Sequence, residues 1–358
     1  MISTSFPANA EDWRGRFIAD MVDAISACRD IHLSLWAPPG RIPAKVENAT
    51  LPNEAEWLRD LMARGGIANL IRTRPLSAFG TILSLLDHLR RVYMRNRNVD
   101  VAHVNWLQNA LPLWGTRTPA VISVLGSDFG LLRLPGMRGL LRSVIRQRRC
   151  ILAPNAEWMC PYLQDAFGDI AEVRPIPFGV DESWFDVIRS PDSVPQWLVV
   201  SRITRNKIGS LLEWGEGVFG EGRRLHLFGP MQEEMSLPPW VDYHGPTHPA
   251  ELSKKWFPRA TGLITLSRHD EGRPQVMLEA MAAGLPIMAS SQSAHLDFVK
   301  HRETGWLTTS FRSFAEGIAY LEENEQNQRI GEAARSWVKE NIGTWDDCAA
   351  RYVCAYHQ

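Results

Sequence analysis

The stretch GLITLSRHDEGRPQVMLEAMAAGLPIMAS, residues 262–290, constrains this chain more than any other. Leu263 to Leu266 is a short apolar run suited to a buried strand, and Ser267 to Arg273 is a polar loop with one carboxylate, Glu271. Pro274 is welcome where a helix begins, because the N–H it lacks would have no partner there. Gln275 to Ala283 is built of good helix formers, Gly284 and Pro286 stop them, and Leu285 to Ser290 reads as the next strand. A second carboxylate, Glu279, stands eight residues after Glu271 and so about two turns inside the helix. The helix N-terminus turns unpaired N–H groups and a partial positive charge toward the loop, which suits an anionic ligand. Glu271 can then meet the near end of that ligand and Glu279 accept hydrogen bonds from hydroxyls further along. By spacing alone, a surface glutamate followed by a helical one would look the same.

A chain of 358 residues exceeds one ordinary core and suggests two domains. Its apolar fraction of 45% and charged fraction of 22% are those of a globular protein in water. A net charge of -1 argues against a general nucleic-acid binder. The five cysteines form no C-x-x-C pair, as expected in a reducing cytoplasm. Neither a signal peptide nor a run long enough for a transmembrane helix is visible. Strands separated by helices, among them 99–106, 120–125, 150–154 and 197–200, argue for parallel α/β sheets. The Pro-, Ser- and Asp-bearing segment 186–196 is the best domain boundary. Gly215 to Gly220 spells G-x-G-x-x-G, but it follows a helical stretch and precedes a strand, the reverse of a dinucleotide fingerprint.

Glu271-Gly272-Arg273-Pro274 followed by Leu278-Glu279-Ala280-Met281-Ala282-Ala283-Gly284-Leu285-Pro286 resembles the E-x7-E signature of the family 4 glycosyltransferases. The resemblance implies an α/β chain of GT-B fold, two Rossmann-like domains facing across a cleft. Residues 1–185 would be the acceptor-side domain, 186–343 the donor-nucleotide domain, and 344–358 a helix crossing back to the first. It implies a retaining, metal-independent hexosyltransferase that moves a sugar from a nucleotide-diphosphate sugar to a hydroxyl of a glycan or lipid-linked acceptor. No cofactor is needed beyond that co-substrate.

The resemblance also distributes roles. Arg202 and Lys207, across a strand-to-helix loop, would hold the donor's diphosphate. Negative charge grows on the diphosphate as the sugar leaves, and a cation about 4 Å away contributes roughly 4 kcal/mol at an effective dielectric of 20. Glu271 would hold the hydroxyls of the donor sugar, Glu279 the ribose, and Gly272, Arg273 and Pro274 the helix mouth at the phosphates. Tyr243 falls where the base pocket is expected. On the acceptor side, Gly15 would let the backbone approach a ligand closely, and Gly126 would occupy the switch from strand to helix. The family often has a histidine before that glycine. Here it is Leu125, which leaves Asp128 as the polar group to carry catalytic work there.

Ser127 is a poor hydrolase nucleophile, because its frame is G-S-D-F-G rather than G-x-S-x-G. Residues 131–149 read as a basic amphipathic helix suited to an anionic membrane surface, so a protein of the cytoplasm is expected to make peripheral contact with the inner face of the membrane there. The first strand, Ile2 to Phe6, is short for such a domain, as expected if the start of the chain is truncated or the true start codon lies upstream. Epimerases of the fold usually lack this glutamate spacing, and a phosphorylase would need a cofactor lysine that is not found. Leu125 favours one alternative, a catalytically idle GT-B partner subunit that binds nucleotide or glycan.

Overall fold

The computed structural model describes residues 1–67, 70, 75–126, 128–269 and 271–358; Ser127 lies outside them. The chain divides into two compact units, Met1–Phe178 with Trp345–Gln358, and Gly179–Thr344. The division precedes the Pro-rich segment because Val180, Trp184 and Val187 are buried with Phe257, Leu278 and Met281 in the second unit's core.

In the first unit the strands are β1 (Ser34–Leu35), β2 (Glu47–Asn48), β3 (Ala102–Asn105), β4 (Ala120–Val124), β5 (Cys150–Pro154) and β6 (Glu172–Val173). β1 pairs with β2, and β3 to β6 pair in sequence order, all parallel. Ile2 bridges Trp36 on one side and Val104 on the other, which sets it between β1 and β3. Every residue of β3, β4 and β5 is buried, His103, Asn105 and Ser123 included, so these strands are covered on both faces. The expected strand Ile2 to Phe6 contracts to its bridge for a local reason. Ser3 Oγ donates to Ser5 O at 2.6 Å and accepts from Ser5 N at 3.2 Å, a turn that competes with the ladder. At the other edge, Arg174 and Ile176 still donate to Leu152 and Pro154 carbonyls at 2.9 Å, but Pro175 and Pro177 have no N–H to give.

The expected basic helix over 131–149 is broken into Phe129–Leu132 and Met137–Ile145, with Pro135 and Gly136 (φ 78°) between them. Its arginines are partly internal wiring. Arg138 pairs with Asp165 at 3.1 Å, Arg142 with Asp169, and Arg148 is buried against Thr116 Oγ1 at 2.6 Å and Leu113 O at 2.9 Å. The helix Trp345–Tyr356 buries Cys348, Tyr352 and Ala355 with Ile18, Met21 and Ile25 of the helix Arg16–Ala27. A buried polar chain ties it to the sheet: Tyr356 OH lies 2.6 Å from His103 Nδ1, His103 Nε2 lies 2.8 Å from Ser123 Oγ, and Ser123 Oγ lies 2.7 Å from Tyr352 OH. Burial pushes the His103 pKa down to about 3, so the ring is neutral.

The second unit is one parallel sheet of β7 (Gln196–Val200), β8 (Arg224–Phe228), β9 (Val241–Gly245), β10 (Gly262–Thr265), β11 (Ile287–Ser290) and β12 (Trp306–Thr308). Its spatial order is β9-β8-β7-β10-β11-β12. Alternate residues feed two apolar layers: Leu198, Leu263 and Ile287 enter one, Trp197, Ile264 and Met288 the other. The chain begins in the middle with β7, builds outward to β9, then crosses back to β10 and builds the other way. Strand order therefore reverses between β7 and β10, and ligands of such sheets bind outside the carboxyl ends of the strands at that reversal.

Candidate functional site

Two loops leave the sheet at the reversal. The first follows β7 and runs through Ser201, Arg202 and Ile203 to Thr204, the N-cap of a short helix, Arg205–Ile208. Thr204 Oγ1 accepts from the N–H of Lys207 at 3.2 Å, which fixes the first turn and the lysine on it. Gly209 ends this helix with φ 58° and ψ −126°. A Cβ there would stand 1.9 Å from the Leu266 carbonyl oxygen at the end of β10, so only glycine lets the two loops meet. They are also bonded directly: Arg268 N donates to Asn206 O at 2.7 Å, and the Arg268 guanidinium donates to Ser210 Oγ.

The consequence is an ion pair between Lys207 Nζ and a carboxylate oxygen of Glu271, with side chains only 13% and 17% exposed. Burial lowers the Lys207 pKa, the positive charge of Arg202 lowers it further, and Glu271 opposes both. Arg202 is exposed at the loop's start, within electrostatic reach of Lys207. Arg202 and Lys207 thus share one end of the sheet with Glu271, which lies 64 residues beyond Lys207 in sequence. Gly209→Ala should destabilise the unit by about 1–3 kcal/mol from backbone strain alone and misplace Lys207. Urea unfolding checks this, and an unchanged midpoint would contradict it.

The other expected residues sort differently. Glu279 lies half-buried about one turn into the helix Gln275–Ala282, and Pro274 is its N-cap at φ −67°. Gly272 is buried at its mouth. The Arg273 guanidinium turns inward: it pairs with Asp297, both side chains 5% exposed, and lies 5.8 Å from the Phe298 ring centre. What Arg273 can offer a ligand is its backbone. Tyr243 on β9 donates its hydroxyl to Gly229 O at 2.9 Å.

In the first unit, Asp128 is buried, and its oxygens accept the backbone N–H of Leu107 at 3.1 Å and of Leu125 at 2.9 Å. Burial raises its pKa to about 6, against those bonds. Both oxygens clamp the corner at Trp106 (φ 70°) to the end of β4, an arrangement that positions rather than reacts. Gly126 is buried with φ 94°. Gly15 has φ 69°, and a Cβ there would lie 2.7 Å from the backbone of Ser5 and Phe6. The close approach it permits is to the segment holding Ser5 and Phe6.

One residue that the sequence did not single out joins the set. His295 follows β11 in the helix Ser293–Leu296, is fully buried, and senses the charges of both Glu271 and Lys207. Its only sequence signal is a polar run after a strand at the ligand end of the sheet.

Residues 233–337 match the family described as Glycosyl transferases group 1. The spore coat protein SA of Bacillus subtilis is 25% identical over 140 residues, which are 38% of this chain and 35% of that protein, so the match spans about a third of the curated relative. Among solved structures, the sucrose-phosphate synthase of Thermosynechococcus elongatus has a TM-score of 0.73 at 16% identity, covering 100% of this chain and 97% of that one. The Anabaena protein Alr3699/HepE, in complex with UDP and glucose, has a TM-score of 0.65 at 15% identity over 96% of both chains. Residues 233–337 are accordingly a glycosyl transferases group 1 domain, carried by a chain of the GT-B fold with two Rossmann-like units.

Proposed function

We propose that the chain is a retaining glycosyltransferase of the family 4 type, transferring a hexose from a nucleoside-diphosphate sugar to a hydroxyl of a glycan or lipid-linked acceptor in cell-surface polysaccharide synthesis. The observation that carries this reading is the Lys207–Glu271 pair at the reversal of strand order, with Arg202 beside it. A cation held by a carboxylate in a mostly dry site is a ready partner for a diphosphate, which displaces the carboxylate and takes the lysine. Glu271 is then released to accept hydrogen bonds from the sugar's hydroxyls, while Glu279 serves the ribose.

The bond between the sugar's anomeric carbon and the diphosphate oxygen breaks, and its electron pair stays on the diphosphate. Lys207 and Arg202 neutralise that charge, helped by the backbone N–H groups at Gly272 and Arg273. The acceptor hydroxyl attacks from the same face and passes its proton to the departing diphosphate, so Glu271 forms no covalent intermediate. Because side chains carry the neutralisation, turnover is expected to persist in a metal chelator.

The UDP and glucose bound by the Anabaena protein make UDP-glucose the first donor to try. Incubation with UDP-, GDP- and ADP-sugars should release the nucleoside diphosphate from at least one. Tight binding with no release from any would instead support the idle partner subunit.

Lipid contact through 131–149 is a narrower proposal than the sequence implies. Arg138 and Arg142 are committed to Asp165 and Asp169, which leaves the exposed Arg146 and Arg149 with Leu134 and Leu140. No helix among the described residues is long and apolar enough to cross a membrane. Residence in the cytoplasm, with contact at the inner membrane face, is part of the same reading. Flotation with anionic vesicles checks it, and recovery of all the protein unbound would remove it.

A further inference from the structure

His295 is held by bonds that leave one of its nitrogens unserved. Nδ1 lies 2.9 Å from the carbonyl oxygen of Ser290 and 3.2 Å from its hydroxyl. A carbonyl only accepts, so Nδ1 carries the proton. The Ser290 hydroxyl is itself spent on Ser267 O at 2.7 Å. In the neutral ring Nε2 is therefore a bare lone pair, and it is buried with no hydrogen-bond partner among the described residues. Burial lowers the pKa of the ring, with Lys207 acting in the same direction and Ser290 and Glu271 opposing, so Nε2 remains an acceptor. A buried acceptor without a donor is destabilising and calls for an explanation.

Its surroundings supply one. The segment bearing His295 is stapled to the loop bearing Glu271 at two places, by Ser290 to Ser267 and by Asp297 to Arg273. His295 lies between these staples in sequence and feels the charges of Glu271 and Lys207. The site thus presents two acceptors, Glu271 and Nε2, around one cation. A diphosphate alone cannot satisfy that set, because its oxygens are acceptors too. A polyol joined to a phosphate can, since its hydroxyls donate where its phosphate accepts.

We infer that His295 determines specificity for the sugar half of the donor, Nε2 accepting a hydrogen bond from a hydroxyl of the sugar whose phosphate lies at Lys207. This rests on the reading that a nucleoside-diphosphate sugar binds here. It separates the two halves of that ligand: Lys207 reads the phosphate and His295 the sugar.

The experiment compares each nucleotide sugar (UDP-glucose, GDP-mannose, ADP-glucose) with its own bare diphosphate by calorimetric titration. His295→Asn keeps an N–H where Nδ1 stands and deletes the far nitrogen, while His295→Gln puts an amide oxygen near the position of Nε2. His295→Asn should bind the diphosphate within about twofold of wild type but lose at least about tenfold in affinity for the sugar nucleotide. His295→Gln should recover part of that loss. Equal binding of both ligands by wild type and His295→Asn would overturn the assignment and leave an ordered water as the partner of Nε2, with the diphosphate reading intact. Equal loss of both ligands in a variant that melts like wild type would overturn it in favour of a merely structural histidine. If wild type binds no diphosphate and no sugar nucleotide, the functional reading falls and this inference with it.

Discussion

Lys207→Met should lower kcat by about 10²–10³, the loss seen when one donor to a developing oxyanion is removed from a preorganised site. The expected effect is large because Lys207 is held on two sides. Its backbone is capped by Thr204, and its side chain is paired with Glu271 in a site that excludes most water. Water cannot replace the ammonium at that position without reorganising, which is the step preorganisation avoids. Lys207→Arg should recover only part of the rate, since a planar fork does not reproduce a point charge on a flexible stem. Lys207→Met also leaves Glu271 without its cation, so a modest loss of stability should accompany that variant. Thermal melts and steady-state rates measured together separate the two effects, and a kcat within threefold of wild type would remove Lys207 from the chemistry.

Glu54→Gln should cost about 3 kcal/mol of folding stability, the low end of the range for breaking a buried ion pair from one side. The Glu54 carboxylate is 2% exposed and accepts four hydrogen bonds: from Trp36 Nε1 at 2.9 Å, Leu51 N at 3.0 Å, and two Arg95 nitrogens at 3.1 Å. Arg95 is a third exposed and can turn to water, which limits the penalty. Burial alone would raise the Glu54 pKa, but the bonds from Arg95, Leu51 and Trp36 outweigh it and hold the carboxyl below its usual range. A depressed pKa stabilises the fold above the ordinary glutamate value of about 4.3, and the stabilisation is lost as pH falls through the folded value. Wild type should therefore lose stability on acidification below about pH 4.3, and Glu54→Gln should show a shallower acid limb. Parallel limbs in urea titrations across that range would contradict the assignment.

The elements that were legible in the sequence are those whose cause is local. The helix Gln275–Ala282 and the strands at either side follow from helix formers bounded by Pro274 and Gly284, and β4 and β5 follow from mainly apolar runs. Glu271 and its loop were legible for the same reason. What escaped has causes elsewhere in the chain. The first strand shrinks because the Ser3 hydroxyl makes two local bonds to the Ser5 backbone, which an apolar pattern does not record. Gly209 is required only because Leu266 passes within 1.9 Å of where its Cβ would be. The inward turn of the Arg273 guanidinium depends on Asp297, twenty-four residues on, and the tight packing at Gly15 depends on the backbone of Ser5 and Phe6. His295 becomes conspicuous only when its second nitrogen is found without a partner. Sequence order could propose a cation and a carboxylate for one pocket, but only the reversal between β7 and β10 places them at one end of the sheet.

The central claim is that the pocket at that reversal takes a nucleoside diphosphate through Lys207 and Arg202. Calorimetric titration of UDP, GDP and ADP into wild type, Lys207→Met and Arg202→Met tests it most directly. At least one diphosphate should bind wild type, and each variant should weaken it by about tenfold or more, equivalent to about 1.4 kcal/mol. Undiminished binding in both variants, or no binding of any diphosphate by wild type, would contradict it.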